Sequence, residues 1–230
     1  MSGKLIVIEG SDGSGKATQT QMLYDKLVAR HELTVKKIEF PDYKSESSAL
    51  IKMYLEGEFG TNPNLVNPFV VSTFYAVDRF ISYEKKWKDF YRKGGIVIAD
   101  RYTTSNMIHQ AAKISDRRER DDYLNWLGDL EFNRFKLPIP DGILFLNMPP
   151  QYSIQLLQDR PGKYGEKTGD IHERNLDYLV ASYNNSLEIA KKYQWLKIDC
   201  FANDNIRSIG EIHQEICTAV EEIINKKNSP

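Results

Sequence analysis

Short apolar runs alternate along the chain with longer segments in which apolar residues recur every three or four positions. The short runs predict five strands, at residues 5–8, 35–40, 96–99, 143–147 and 195–199. The longer segments predict helices, the first of them at residues 18–29. This alternation is typical of an α/β protein with a mostly parallel sheet and helices on both faces. In such sheets, ligands bind at the carboxyl ends of the strands.

Two of the helical segments carry wide apolar stripes, which we expect to pack against the core. The first stripe consists of Phe69, Val70, Phe74, Val77 and Ile81. The second consists of Ile206, Ile209, Ile212, Ile216, Val220, Ile223 and Ile224.

The composition narrows the class of protein. The chain has 230 residues, with 31 Lys and Arg against 32 Asp and Glu, which argues against a general nucleic-acid or anionic-membrane surface. No apolar run approaches the roughly 20 residues of a membrane span. The first strand is predicted close to the first residue, so we expect no signal peptide. Cys200 and Cys217 lack metal-ligand spacing and are predicted to be packed thiols. We expect one cytoplasmic domain over residues 1–230 that binds neither nucleic acid nor membrane.

A glycine-rich segment directly after the first strand predicts a phosphate-binding P-loop. It consists of Gly10, Ser11, Asp12, Gly13, Ser14, Gly15 and Lys16, and a helical segment follows it. The loop N–H groups and the helix N-terminus can cradle polyphosphate oxygens, while Lys16 supplies a positive charge. A plain turn joining a strand to a helix is the alternative, but strand, spacing, lysine and helix all favour the P-loop. A P-loop indicates a nucleoside triphosphate but does not indicate which reaction it takes part in.

The position after the P-loop lysine departs from the usual pattern. Ser or Thr commonly ligates Mg²⁺ there, but this chain has Ala17. Thr18 lies about 100° further around the helix, so we expect its hydroxyl to reach a phosphate oxygen instead. Mg²⁺ would then be held by the nucleotide, water and a carboxylate elsewhere.

Two further groups of residues are expected beside the P-loop. Asp100 and Arg101 follow the strand at 96–99, where Asp100 can hold Mg²⁺ and Arg101 can bind a phosphate; a salt-bridged strand end is the alternative. Tyr75 and Arg79 are one helical turn apart, so they can stack on a base and bond its edge. Alternatively, Tyr75 is a core residue and an exposed Arg79 pairs with Asp78.

Together, these motifs resemble those of thymidylate kinases, in order and over nearly the whole chain. The matching segments are Ile8-Glu9-Gly10-Ser11-Asp12-Gly13-Ser14-Gly15-Lys16-Ala17-Thr18-Gln19, Phe40-Pro41, Tyr75 with Arg79, Asp100-Arg101-Tyr102 with Ser105, and Asp170-Ile171-His172-Glu173-Arg174. The resemblance implies the P-loop kinase fold with a mobile lid at about residues 160–174. It also implies transfer of the γ-phosphoryl group of ATP to dTMP, giving dTDP and ADP.

The resemblance also implies roles for individual residues. Tyr75 would stack on thymine, Arg79 would bond the base, and Arg101 would bind the monophosphate near Asp12. The remaining dTMP contacts would come from Phe40, Pro41, Ser105, Asn106, His109, Tyr164 and His172. His109 stands where the family commonly has an aromatic residue, and Tyr75 replaces a more usual Phe.

Some members of the family carry an arginine in the P-loop, where this chain has Gly13; others place basic residues in the lid. This chain resembles the second type, with lid candidates Arg160, Lys163, Lys167 and Arg174. We expect five residues to act in catalysis: Lys16, Asp12, Arg101, Arg160 and Lys163. A solvated basic loop is the alternative.

Two other functions remain open at this point. One is a related P-loop kinase that acts on a deoxynucleoside or a different monophosphate. The other is a P-loop switch or regulatory ATPase, although the sequence lacks a recognisable switch apparatus. The resemblance further implies a homodimer, for which the helix at residues 68–87 is the candidate interface.

Overall fold

The computed structural model of the chain describes residues 3–158, 171 and 175–226. The main strands are β1 (Lys4–Gly10), β2 (Val35–Glu39), β3 (Ile96–Asp100), β4 (Gly142–Asn147) and β5 (Leu196–Asp199). They form one sheet in the order β2-β3-β1-β4-β5, and every neighbouring pair is parallel. The predicted α/β class is confirmed, and this sheet is entirely parallel. A small antiparallel hairpin of β6 (Phe201–Ala202) and β7 (Asn205–Ile206) follows β5.

Helices connect the strands. In the described ranges they are α1 (Lys16–Val28), α2 (Ala49–Glu56), α3 (Pro68–Ser82), α4 (Lys88–Arg92), α5 (Thr103–His109), α6 (Arg117–Gly128), α7 (Pro150–Gln158), α8 (Leu176–Lys192) and α9 (Ile209–Asn225). Short 3-10 turns lie at Glu46–Ser48, Pro63–Leu65 and Ala111–Lys113, and π-helical turns at Tyr83–Trp87 and Asp129–Arg134. None of these helices is both long enough and apolar enough to cross a membrane.

The alternation of side chains along β1 feeds two cores, one on each face of the sheet. Ile6 and Ile8 pack on the face covered by α1 and α9. Leu5 and Val7 pack on the opposite face, where the π-helical turn after α3 contributes Trp87. Such burial on both faces explains why the central strands β1, β3 and β4 read as continuous apolar runs rather than as alternating ones.

The α3 stripe does not follow the prediction of core packing. Phe69, Val70 and Val77 are 37, 49 and 38% exposed. The buried face of α3 instead carries polar residues, among them Ser72 and Arg79. These polar side chains can be buried because they bond to buried groups on other elements: Ser72 to Asn106 and Tyr123, and Arg79 to Glu131.

The C-terminal stripe mostly follows its prediction. Four of its members in α9 are buried, namely Ile212, Ile216, Val220 and Ile223, whereas Ile209 at the start of the helix is exposed. Cys200 and Cys217 are buried free thiols beside this stripe, as predicted.

Candidate active site

A cleft of about 310 Å³ opens at the carboxyl edge of the sheet, between the P-loop, the ends of β2 and β3, α3 and α5. It brings together most of the residues that the sequence singled out: Asp12, Gly13, Gly15, Lys16, Ala17, Phe40, Pro41, Tyr75, Arg79, Asp100, Arg101, Ser105, Asn106 and His109. The register explains this proximity, since Ile8 of β1 lies opposite Asp100 of β3. The P-loop therefore begins beside the Asp100-Arg101 strand end.

Other predicted residues lie elsewhere. Gly10, Ser11, Ser14 and Thr18 belong to the P-loop or to α1 but do not line the cleft, and Thr18 is exposed. Two further sets of predicted residues fall outside the described residues. They are the lid candidates Arg160, Lys163, Lys167 and Arg174, and the predicted dTMP contacts Tyr164 and His172.

The P-loop takes its shape from its glycines. Gly15 has a φ of 85°, which favours glycine, and it precedes α1 without providing a side-chain cap. At Gly10, a Cβ atom would lie 2.9 Å from the backbone oxygen of Leu146 on β4. The first N–H groups of α1 have no partner within the helix, and they are suited to binding an anion.

Lys16 is buried at the base of this loop. Its Nζ donates to the Ser11 carbonyl oxygen at 2.6 Å and lies 3.9 Å from Asp12 Oδ1. Burial, and then repulsion from Arg101, lower the pKa of Lys16 to about 8, while nearby carboxylates, including Asp12 and Asp100, oppose this shift. The ammonium group is therefore held at a cost that an added anion would reduce.

Arg101 forms the centre of a second polar cluster, which we call the phosphate end of the cleft. Its Nη2 donates to Asp12 Oδ1 at 2.5 Å, and its Nη1 lies 3.4 Å from Glu9 Oε1 and 3.1 Å from Ser105 Oγ. His109 Nε2 is 3.3 Å from the same Nη1. Burial alone would lower the pKa of Arg101, but Asp12 and Glu9 raise it, so the guanidinium stays charged.

Glu9 on β1 links the members of this cluster through its carboxylate, a role that no motif in the sequence indicated. It is fully buried; its Oε2 accepts from Thr104 Oγ1 at 2.7 Å and from Ser105 Oγ at 2.8 Å. Its Oε1 accepts from the Gly10 N–H at 3.0 Å. A signal was present, because an acid inside an otherwise apolar buried strand requires partners.

Arg79 lines the cleft from α3, in a part that we call the base end. Its side chain is 1% exposed and pairs with the fully buried Glu131 on the π-helical turn after α6. Nη2 donates to Glu131 Oε1 at 2.5 Å, and Nε donates to Glu131 Oε2 at 2.7 Å. The alternative of an exposed Arg79 paired with Asp78 is therefore wrong. Asp78 instead accepts from the Asp42 N–H at 2.9 Å.

Asn106 on α5 extends this network. Its Oδ1 accepts from Arg79 Nη2 at 2.9 Å, and its Nδ2 donates to Ser72 Oγ at 3.0 Å. Ser72 Oγ in turn lies 2.6 Å from Tyr123 Oη. These contacts determine the orientation of the Asn106 amide.

Aromatic and apolar groups complete the base end. Tyr75 is half-buried on α3 and lines the cleft, while Phe40 is buried against Tyr102, with the ring centroids 5.9 Å apart. Leu55 adds an apolar wall from α2, and its carbonyl oxygen accepts the Ile171 N–H at 3.3 Å. Tyr75 is therefore within the cleft rather than in the core, contrary to the alternative for that residue.

Gln110 also lines the cleft, although it belongs to none of the motifs recognised in the sequence. Its side chain is 1% exposed, and its Oε1 has no hydrogen-bond partner among the described residues. Buried carboxamides normally have partners, so this one is suited to a ligand. The signal was its spacing of four residues from Asn106, which puts both amides on one side of the chain segment.

The site offers few ligands for a metal ion. In the described part of the chain, no group of three or more His, Cys, Asp or Glu side chains is arranged to hold one. Asp100 lines the cleft and acts electrostatically on Lys16, and Ala17 lines it without a hydroxyl group. This donor set suits Mg²⁺, which is commonly held by one or two carboxylates, substrate phosphates and water.

Comparison with known proteins agrees with this geometry. The family model described as thymidylate kinase matches residues 8–216. Among curated relatives, the thymidylate kinase of Schizosaccharomyces pombe is 29% identical over 221 residues, covering 96% of this chain and 93% of that protein. The thymidylate kinase of Plasmodium falciparum is 27% identical over 221 residues, covering 96% and 91% respectively.

A solved structure agrees at the level of the fold. The thymidylate kinase of Candida albicans superposes with a TM-score of 0.72 at 22% identity, covering 99% of this chain and 96% of that one. The family match spans the P-loop, both arginine clusters and the cleft between them, and so the chain belongs to the thymidylate kinase family.

Proposed function

We propose that this chain is a dTMP kinase that transfers the γ-phosphoryl group of ATP to dTMP, giving dTDP and ADP. One observation carries the proposal beyond family membership. A single cleft is lined by the P-loop lysine Lys16, by a second cation at Arg101, and by an aromatic side chain with a buried arginine, Tyr75 and Arg79. A switch or regulatory ATPase would have no use for the second and third of these.

The chemistry requires positive charge and positioning rather than a general base. An oxygen of the dTMP phosphate attacks the γ-phosphorus of ATP, while the bond to the β-phosphate oxygen breaks and ADP leaves with the electron pair. The second pKa of a phosphate monoester is about 6, so the attacking group is already largely deprotonated at neutral pH. Lys16 would bind the β- and γ-phosphates of ATP, and Arg101 would hold the acceptor phosphate.

The phosphate end accounts for the acceptor in more detail. Arg101 is a planar donor suited to a phosphate, and its contact with Asp12 is only partly buried. Ser105 lies beside it as a neutral hydrogen-bonding group. We further propose that the lid residues Arg160, Lys163, Lys167 and Arg174 add positive charge during transfer, and that Tyr164 and His172 contact dTMP.

We propose Mg²⁺ as the metal, held by Asp100, the nucleotide and water. When bound, it would neutralise phosphate charge and keep the two substrates in register. Asp100→Ala should reduce kcat by at least about 100-fold at every Mg²⁺ concentration, a loss typical of a group that stabilises transition-state charge. Full activity of this variant across a magnesium titration would rule out Asp100 as a ligand.

A substrate panel tests the function. Coupled detection of ADP, with chromatography of the products, would compare dTMP, dUMP, dCMP and thymidine at saturating ATP. We expect dTMP to give the highest kcat/KM and thymidine, which lacks the phosphate that Arg101 binds, to give no product. Preference for thymidine or for another monophosphate would favour the related-kinase alternative, and slow hydrolysis unaffected by dTMP would favour the ATPase. A Lys16→Ala preparation controls for contaminating kinases.

We propose a homodimer that forms through the exposed stripe of α3. The stripe consists of Phe69, Val70, Val77 and Phe80, all at least 36% exposed. Its apolar residues recur along one side of the helix, as at many protein interfaces. Light scattering at micromolar concentration should give twice the chain mass, and Val77→Glu should give a monomer. Val28→Glu, at a similarly exposed valine on α1, is the matched control and should remain dimeric.

We propose that the enzyme acts in the cytoplasm. Its two cysteines are free and buried, and free thiols are usual in proteins of reducing compartments. Fractionation of the source cells, followed by assay of dTMP kinase activity, tests this location.

A further inference from the structure

The Glu131 carboxylate forms a bidentate ion pair with Arg79, which donates to it from two nitrogens. It bonds Nε and Nη2 at 2.7 and 2.5 Å, and a hydroxyl group, Thr103 Oγ1, holds its Oε2 at 2.7 Å. Both side chains of the pair are essentially inaccessible. This side-by-side arrangement is the most directional one available to an arginine and a carboxylate.

The two hydrogen bonds to Glu131 limit the number of N–H groups that Arg79 can offer to a ligand. A guanidinium has five N–H groups. Glu131 takes two of them, Asn106 Oδ1 takes the second N–H of Nη2, and the Tyr102 carbonyl oxygen accepts from Nη1 at 3.4 Å. Among the described residues, one N–H of Nη1 therefore remains for a ligand in the cleft.

We propose that Glu131 is a specificity-determining residue, which acts by restricting Arg79 to a single hydrogen bond with a carbonyl oxygen of the base. The inference rests on the proposed function, since it takes the acceptor to be a pyrimidine nucleotide bound in this cleft. Glu131 does not touch the substrate; it positions Arg79 and occupies the donors that would otherwise form a phosphate-binding fork.

The remaining donor is selective because of the chemistry of the base edge. The 4-position of thymine is a carbonyl, which accepts, whereas the same position of cytosine is an amino group, which donates. A single N–H directed at the 4-position favours the carbonyl and is opposed by the amino group. An arginine with several free donors would instead be able to turn toward an anion or a water molecule.

The surroundings of the pair support this role. Asn106 is held between Arg79 and Ser72, and Tyr123 braces Ser72, so the guanidinium has partners on two sides. The cleft-facing Arg79 has a raised pKa despite its burial, because the Glu131 carboxylate outweighs the burial that would lower it. Glu131 thus supplies both orientation and charge.

The test is Glu131→Gln, assayed with dTMP and with 5-methyl-dCMP, which carries the same methyl group but an amino group at the 4-position. In the wild type, we expect a strong preference for dTMP. In the variant, kcat/KM for dTMP should fall about 10- to 100-fold, as expected for a lost hydrogen bond to a charged donor. The fall should appear in the KM for dTMP, while the KM for ATP and the activity with 5-methyl-dCMP change less than about threefold.

Two further variants keep the test decisive. Asp129→Asn removes an exposed carboxylate of the same turn, paired with Arg134, and should leave the preference unchanged. Thr103→Val removes only the hydroxyl group that holds Glu131 and should give an intermediate loss of preference. It serves as the test if Glu131→Gln does not fold by circular dichroism.

The outcomes separate the inference from the function on which it rests. A folded Glu131→Gln enzyme that retains the wild-type preference, or that loses both substrates equally, would overturn the role of Glu131. A wild-type enzyme that does not phosphorylate dTMP would instead overturn the proposed function.

Discussion

The two ends of the cleft each centre on an arginine, and the two arginines are held in opposite ways. At the base end, Arg79 is 1% exposed and Glu131, the Tyr102 carbonyl and Asn106 take most of its donors. At the phosphate end, Arg101 is 15% exposed and pairs with Asp12, which is 17% exposed. Both arginines line the cleft, but Arg79 is almost fully buried there and Arg101 is partly exposed.

This difference indicates a division of labour between shape and charge. A buried pair whose partners are all protein groups preserves one geometry, which suits the reading of a base edge. Partly exposed pairs can exchange a protein partner for a substrate oxygen at little cost, which suits phosphate binding. Lys16 is buried, but its protein contacts are also replaceable, since it is held by a loop carbonyl oxygen and lies 3.9 Å from Asp12.

The sharpest way to break the comparison is to remove each arginine in turn. Arg79→Ala leaves Glu131 buried and unpaired, and should lower the free energy of unfolding by about 3–5 kcal/mol. Arg101→Ala should cost less, about 1–3 kcal/mol, because the buried Glu9 loses one partner but keeps the hydrogen bonds from Gly10, Thr104 and Ser105. It should also raise the KM for dTMP strongly. Urea titrations of both variants measure the loss of stability, and steady-state kinetics measure the KM for dTMP and for ATP. Equal losses of stability, or an Arg101→Ala enzyme impaired only toward ATP, would contradict the division.

The next largest effect concerns Lys16, whose contribution should be to turnover and not to stability. Lys16→Ala should lower kcat by at least about 100-fold, because the charge on the transferring phosphates loses a positive partner. The variant should unfold at a temperature no lower than the wild type, since a buried charge has been removed. A folded and active Lys16→Ala enzyme would mean that the loop does not bind the triphosphate.

A pH titration tests the charge that Lys16 contributes to the P-loop. Burial lowers the pKa of Lys16 to about 8, so the free enzyme loses this charge as the pH rises through that value. Affinity for ADP should therefore fall by up to about tenfold between pH 7 and pH 9, in the proportion in which the charged form declines. Calorimetric titrations measure it, and Lys16→Arg, which stays charged throughout, should bind ADP with little change over this range.

The smallest effect is expected at Ala17. Restoring a hydroxyl group with Ala17→Ser should leave unchanged, or lower by a few-fold at most, the Mg²⁺ concentration needed for half-maximal activity, because Mg²⁺ tolerates water in place of a protein ligand. A magnesium titration at fixed ATP measures this. A large gain in kcat would show that the missing ligand limits the enzyme.

Most elements of the fold could be predicted from the sequence, while the environments of individual side chains often could not. All five strands were predicted at nearly their observed positions. The central strands β1, β3 and β4 are buried local apolar runs, whereas β2 and β5 include charged residues and lie at the edges of the sheet. The prediction that the α3 stripe packs in the core was wrong, because periodicity identifies an apolar face but does not show whether that face is buried. Arg79 was correctly predicted to lie in the cleft, but its partner is Glu131 and not the adjacent Asp78, which was the alternative from the sequence.

What the sequence determined by itself is the phosphate-binding loop, whose glycines, lysine and following helix are adjacent in the chain and set their own backbone geometry. Tertiary structure alone decided that Glu131, 52 residues beyond Arg79, supplies its partner carboxylate. It likewise decided that Glu9 and Arg101 meet, because β1 and β3 are neighbours in the sheet although 92 residues separate the two side chains. Contacts of this kind depend on strand order and helix packing, which no local pattern encodes.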